Sequence, residues 1–285
     1  MASILDRYGI KEVADVTFYK IGADGNPAEP VLFLDTLKVS TIEQTAESVD
    51  ARGGKGNPKL ITWDYGKEIT VNIEDALFSP KSMSIMLGDG TVAKTTAVGG
   101  EDVQRTTVIR INDSGEPQNY FIADVYDSAT KGSVRKKVYM GSGNAPAGMI
   151  AFDSAGITLK TAVSEEGTVI DSSFTAAEWS SAFSTYAGQK VFITYTVKAI
   201  KKTITVSGDT FPGTYYVVGD TYSRSDIDGS DQFFQFIIPK AKMSSENTIT
   251  LEAEGDPSTF NMNLTVLRPE DGDMMKLVQY DLVGA

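Results

Sequence analysis

Apolar and polar residues alternate with a period of two along most of this chain. Val16 and Phe18 alternate with Thr17 and Tyr19, and Ile69, Val71 and Ile73 alternate with Thr70, Asn72 and Glu74. Ile193, Tyr195 and Val197 alternate with Thr194 and Thr196, and Phe260, Met262, Leu264 and Val266 alternate with Asn261, Asn263 and Thr265. Similar runs cover residues 234–238 and 249–254. Successive side chains of a strand point to opposite faces, so each run predicts a strand with one face on a core and one more polar face. Thr, Val, Ile and aromatic residues fill these runs, as a pleated, half-buried surface prefers. Clusters such as Asp24-Gly25-Asn26-Pro27, Gly208-Asp209, Asp228-Gly229 and Gly255-Asp256-Pro257 separate them as turns. Strands are therefore expected at 69–75, 191–198, 231–239, 246–254 and 259–267, all in one β-sandwich or curved sheet system.

Two short helices interrupt the alternation. Ser79 is a good N-cap, Pro80 fits the first helical position, and Gly88 can end a helix over 80–87. Phe78 and Met83 have the spacing of a hydrophobic staple across that N-terminus. A second helix is expected over about 176–187. There Thr175 and Glu178 have capping-box spacing, and Trp179, Phe183 and Tyr186 fall on one side, a pattern of core packing rather than of a ligand site. The stretch 91–188 is less regular, with strand candidates at 103–111, 120–125 and 134–140.

Composition removes many functions. The 285 residues include neither cysteine nor histidine. Disulfides, thiolate zinc sites, Cys nucleophiles, Ser-His-Asp triads and His-ligated metals are thereby excluded. With 26 basic and 38 acidic residues the formal net charge is −12, unlike a chain built to grip phosphates, though compatible with a surface DNA must pass without sticking. The first ten residues hold one Arg and no apolar run, so no signal peptide is expected there, and no apolar segment is long enough to span a membrane. The chain is expected to be soluble and made in the cytoplasm.

Few motifs invite chemistry. Arg52-Gly53-Gly54-Lys55-Gly56-Asn57-Pro58 is Gly-rich, but it lacks the Gly-Lys-Ser/Thr ending of a P-loop and leads into a strand rather than a helix. It reads as a long, flexible hairpin tip. Asp226, Asp228 and Asp231 could offer oxygens to calcium, or could simply solvate a hairpin turn; Gly229 is misplaced for an EF-hand. No pair of carboxylates is marked out for acid–base work, and no catalytic, cofactor-binding or metal-ligating residue is assigned.

Two blocks carry a family likeness. The first, 36–87, joins a strand with Leu37 and Val39, the tip Ala51-Arg52-Gly53-Gly54-Lys55-Gly56, a returning strand over 59–73 that includes Trp63, Asp64 and Tyr65, and the helix after Ser79. The second, 203–281, includes Phe211-Pro212-Gly213-Thr214-Tyr215-Tyr216, Phe233-Phe234-Gln235-Phe236-Ile237-Ile238-Pro239, Glu252-Ala253-Glu254-Gly255-Asp256-Pro257 and Met275-Lys276-Leu277-Val278-Gln279-Tyr280. Together they resemble the tail tube (major tail) proteins of tailed bacteriophages.

The resemblance implies a mainly β, non-enzymatic virion protein of the tail that needs no cofactor. Its subunits would close into hexameric rings and stack into a tube around DNA, which passes without specific binding. Partners would be other copies and other tail proteins, such as a tape measure, sheath or terminator, with no membrane involved. It further implies a discontinuous tube domain at 1–90 and 189–285, with 91–188 as an inserted region on the tube exterior. Glu43, Arg52, Gly53, Gly54, Lys55, Gly56 and Asn57 are expected to contact a neighbouring ring. On the alternation, Thr70, Asn72, Glu74, Thr250, Glu252 and Glu254 face away from the core and are candidates to line the channel. Rival readings are another virion β-sandwich, such as a capsid decoration or tail adaptor, or a carbohydrate-binding module.

Overall fold

The computed structural model describes residues 7–10, 12–88, 90–94, 100–111, 113, 120–127, 132–139, 144–151, 155–171, 184–249, 259–270 and 272–280. In chain order the strands are β1 (Tyr8–Ile10), β2 (Asp15–Ile21), β3 (Pro27–Leu34), β4 (Leu37–Arg52) and β5 (Lys59–Asp75), followed by helix α1 (Pro80–Leu87). Next come β6 (Ala93–Lys94), β7 (Glu101–Arg110), β8 (Tyr120–Asp127), β9 (Gly132–Tyr139), β10 (Met149–Ala151), β11 (Ile157–Ser164) and β12 (Val169–Asp171). After a 3₁₀ turn at Ser184–Tyr186 follow β13 (Lys190–Ala199), β14 (Lys202–Thr203), β15 (Thr214–Ser225), β16 (Asp231–Met243), β17 (Phe260–Val266) and β18 (Lys276–Tyr280). The protein is mainly β, in two compact units: 1–93 with 203–285, and 94–202.

The first unit is built on one nine-stranded sheet in the order β3-β2-β15-β16-β17-β5-β4, with β1 added to β15 and β18 to β16. Every pairing in it is antiparallel. One face of the sheet supplies a single core. Val16 and Phe18, Leu32 and Leu34, Ile69, Val71 and Ile73, Val217, Ile238, Met262 and Leu264 are all buried in one cluster with Ile85 and Met86 of α1. Because strands at both ends of the order share that cluster, the sheet must curve around it. The alternation read from the sequence thus holds at 69–75, 231–239 and 260–266.

Helix α1 forms where its caps require. The Ser79 side chain accepts from the Ser82 N–H at 3.0 Å, and the Ser82 hydroxyl accepts from the Ser79 N–H at 2.8 Å, so a serine closes the capping box from the third helical position. The Gly88 N–H donates to the Ser84 carbonyl at 3.0 Å at the other end. The Phe78 ring lies 4.5 Å from that of Phe260.

The second unit has sheets β12-β11-β13-β7 and β10-β9-β8. They share one core that includes Ile109, Phe121, Val125, Val138, Leu159, Val191 and Ile193. Ala93–Lys94 and Lys202–Thr203, where the chain crosses between units, pair as a two-stranded sheet.

Three expectations change. The strand over 191–198 exists, but it pairs with β7 and β11 in the second unit rather than joining the large sheet. No strand forms at 246–249. The Asn247 amide instead donates to the Met86 carbonyl at 2.7 Å, which holds this segment against the end of α1; the rest of that expected strand, 250–254, lies outside the described residues. Most of the helix expected at 176–187 also lies outside them, and what is described there is the 3₁₀ turn.

Candidate assembly interface

β4 and β5 are the longest strands, of 16 and 17 residues, and they outrun the sheet. β17 pairs with β5 only from Thr70 to Asp75, whereas β4 and β5 pair with each other out to Arg52 opposite Lys59. Beyond Glu43 and Thr70 the hairpin is thus a two-stranded ribbon with no third strand among the described residues. It is clipped at its root. Asp75, buried, accepts from the Thr36 hydroxyl at 2.6 Å and from the Leu77 N–H at 3.2 Å.

The register defines the ribbon's two faces. Val49 lies opposite Trp63, Ala51 opposite Ile61 and Glu47 opposite Tyr65. Val49, Ile61, Trp63 and Tyr65 are each more than half exposed, so they form an apolar band on one face. The opposite face carries the exposed Leu60 but is otherwise polar and tied by charge. Asp50 accepts from the Thr62 hydroxyl at 2.8 Å and pairs with Lys59 at 2.8 Å and Arg52 at 3.2 Å. Hydrogen bonds from the Lys59 ammonium above all, then from Thr62, with a smaller one from Arg52, hold the Asp50 carboxyl below the usual carboxylate range. A bulge sits midway, where Gly66 and Lys67 oppose Ala46 and Gly66 takes φ +61°.

The tip is a tight turn rather than an open loop. The Gly53 N–H donates to the Pro58 carbonyl at 3.3 Å and the Asn57 N–H to the Gly54 carbonyl at 3.1 Å. Gly54, Gly56 and Asn57 have φ of 82°, 86° and 51°, left-handed values that glycine and asparagine tolerate. Arg52, Gly53, Gly54, Lys55, Gly56 and Asn57 therefore sit together at the end of the ribbon. Glu43 does not belong with them, because it is paired with Thr70 near the root.

Thr70, Asn72 and Glu74 point away from the core, as the alternation requires, and the structure brings further residues to their side. Thr265, Asn263 and Asn261 lie opposite them on β17, and Glu43, Thr41 and Val39 on β4. The Asn72 amide donates to the Asn263 side-chain carbonyl at 2.6 Å. The result is a face mainly of Thr and Asn with Val39 at one end and the carboxylates of Glu43, Glu74 and Glu68, the last opposite Thr45. Thr250, Glu252 and Glu254 lie outside the described residues.

Two carboxylates of the Asp226–Asp231 turn, those of Asp228 and Asp231, are used locally. Asp228 accepts from the Ser230 N–H at 3.1 Å and hydroxyl at 2.8 Å, and the Arg224 guanidinium donates to both oxygens of Asp231 at 2.6 and 2.7 Å. No cluster of three or more acidic side chains placed to hold a metal exists among the described residues.

The apolar band of the ribbon escaped sequence reasoning. Trp63 stands in the expected returning strand, but its cross-strand neighbours emerge only once the register is known. The usable signal is that Ile61, Trp63 and Tyr65 alternate while the facing strand offers only Val49 and Ala51, too few apolar groups to give them a core.

The first unit is thus a curved antiparallel sheet with one packed helix and a projecting amphipathic ribbon, in a protein that is mainly β. The family model described as the YomU/Tube protein family matches residues 8–279, and the chain belongs to that family. A protein of Bacillus phage SPR named "Tail tube protein" is 23% identical over 273 residues, covering 94% of this chain and 87% of the relative. The chain is thus a structural protein of the phage tail tube type.

Proposed function

We propose that copies of this chain close into rings and stack into the hollow tube of a phage tail, through which DNA leaves the particle. The role is structural, and the subunit carries no chemistry of its own. The observation that supports this above the rival readings is the ribbon. A lone two-stranded hairpin is marginal in water, and this one also exposes an apolar band, so its contacts lie with another subunit. The outer edges of β3 and β4, which no strand pairs among the described residues, add donors and acceptors that a neighbouring sheet can pair, a head-to-tail contact that closes into a ring. The second unit, 94–202, is an elaboration that takes no part in these contacts.

Electron microscopy of the purified protein tests the reading. Stacked rings or tubes with a central channel are expected. Deleting Arg52 to Gly56 is expected to leave a folded subunit that no longer stacks. Monomers at every concentration, or normal tubes from the deletion, would overturn it.

A further inference from the structure

The apolar band of the ribbon needs a receiving surface, and the first unit carries one. Phe33, Leu77 and Phe78 are each more than half exposed. They rim a recess of about 180 Å³ whose floor and walls include Leu34, Thr36, Asp75 and Ser82. Phe78 is seated on Phe260 and Asp75 is hydrogen-bonded to both Thr36 and Leu77, so the rim is fixed before anything docks. Asp35, exposed, stands among the lining residues.

We infer that this recess is the socket for the ribbon of a second copy, with Trp63 and its neighbours Val49 and Ile61 covering Phe33, Leu77 and Phe78. Three observations select this occupant. First, a chain cannot fill its own socket. The recess lies at the root of the ribbon, beside Asp75, and Trp63 is twelve residues further along the continuous strand β5. At about 3.3 Å per residue that places the band some 40 Å from its own recess. Second, both surfaces are aromatic-rich and more than half exposed among the described residues, and such anchors gain most when they cover one another. Third, the charges agree: the ribbon's end carries Arg52, Lys55 and Lys59 against Asp50, while the recess carries Asp35. A band on one patch meeting a socket on another is a heterologous contact. It repeats from copy to copy without closing, each step about 40 Å along the ribbon. This rests on the assembly reading above and adds which surface each ribbon enters.

The chain has no cysteine, so introduced thiols report without background. Trp63→Cys and Leu77→Cys, singly and together, are treated with a short bismaleimide after assembly. Both positions are exposed, so the fold is expected to survive, which circular dichroism checks. The double variant should give a ladder of trimers and longer species, and each single variant at most dimers. Independently, Leu77→Ser should raise the concentration needed for assembly roughly ten- to thirty-fold, the size of a lost hot spot. Tubes that form without a ladder would overturn the socket and leave the assembly reading standing. Dimers from Trp63→Cys alone, not extended in the double variant, would mean ribbon-to-ribbon pairing and would also overturn it. Failure of the unmodified protein to assemble would remove both.

Discussion

At Gly219 there is no space for a side chain. The residue lies in β15 between Val16 of β2 and Phe236 of β16, and a methyl group there would come within 2.1 Å of the buried Phe236 ring. Interiors are packed too tightly for a ring to yield freely. Gly219→Ala should therefore destabilise the subunit by about 1–3 kcal/mol, read as a lower denaturant midpoint. Phe236→Leu in the same chain should recover part of the loss, and full additivity of the two losses would refute this account. Asp50 sets a different kind of limit, near the ribbon's tip. Its pKa is lowered by Lys59 first, with Thr62 and Arg52 adding to the effect, so the ionised form favours the folded tip. That contribution is complete above the ordinary Asp titration near pH 4 and fades as pH falls through the lowered value. Amide exchange at Arg52–Lys59 should accelerate in that acid window, and Asp50→Asn should abolish the pH dependence while leaving the tip looser at neutral pH. The same exchange profile in both proteins would argue against it.

Elements differ in how far their sequences reveal them. Helix α1 is legible because its signals are local: Ser79, Pro80 and Gly88 act within one turn of themselves. Strands β2, β5 and β17 are legible where one face is buried, since burial imposes the alternation. Partners are not legible. The alternation of β13 states which residues are buried but not which sheet they enter, and it is the register with Thr106–Arg110 and Thr161–Ser164 that places it in the second unit. Residues 246–249, expected to begin a strand, form none, and there the Asn247 side chain ties the segment to the end of α1. The ribbon is the hardest case. The returning strand from 59 is legible, but its two faces and their cross-strand neighbours follow from pairing alone, because from 59 to 68 every β5 residue is exposed and no core marks one face as inner. That exposure has a consequence for stability. Each apolar side chain of the band is already half covered by its neighbours, so complete burial adds only about 1 kcal/mol apiece, and several must be covered together to offset the ordering of the ribbon. Amides of the ribbon between Glu47 and Tyr65 should thus exchange far faster than those of Ile69–Ile73 in the free subunit, and become protected on assembly. Equal protection of the two stretches in the free subunit would show that the ribbon needs no partner.

For the whole molecule, one face of β4 and β5 changes character along its length. Near the root it is Thr41, Glu43, Thr70, Asn72 and Glu74; past the bulge at Gly66 it is Val49, Ile61, Trp63 and Tyr65. In a tube the apolar half would be covered by another copy, and the polar half, widened by Asn261, Asn263 and Thr265, would be free to face the channel. Such a face suits DNA passage. Asn72 and Asn263 satisfy each other, which leaves fewer donors for phosphate, and the formal charges that β4 and β5 present there are the carboxylates of Glu43, Glu68 and Glu74. Repeated around a ring, those carboxylates reinforce one another in a confined space and repel phosphate from every side. Glu43→Lys with Glu74→Lys reverses the field at residues whose side chains hold no part of the core. Subunit stability and tube formation should be unchanged. Tubes of the double variant should bind duplex DNA with a steep salt dependence, losing affinity as counterion release weakens between low and physiological salt, whereas unmodified tubes bind little at any salt. Particles carrying the variant should eject DNA more slowly, most clearly at low ionic strength, where the Debye length reaches about 30 Å and screening no longer separates the wall from the duplex. Variant particles that eject at the normal rate in low salt would show that this face lies elsewhere than on the channel wall.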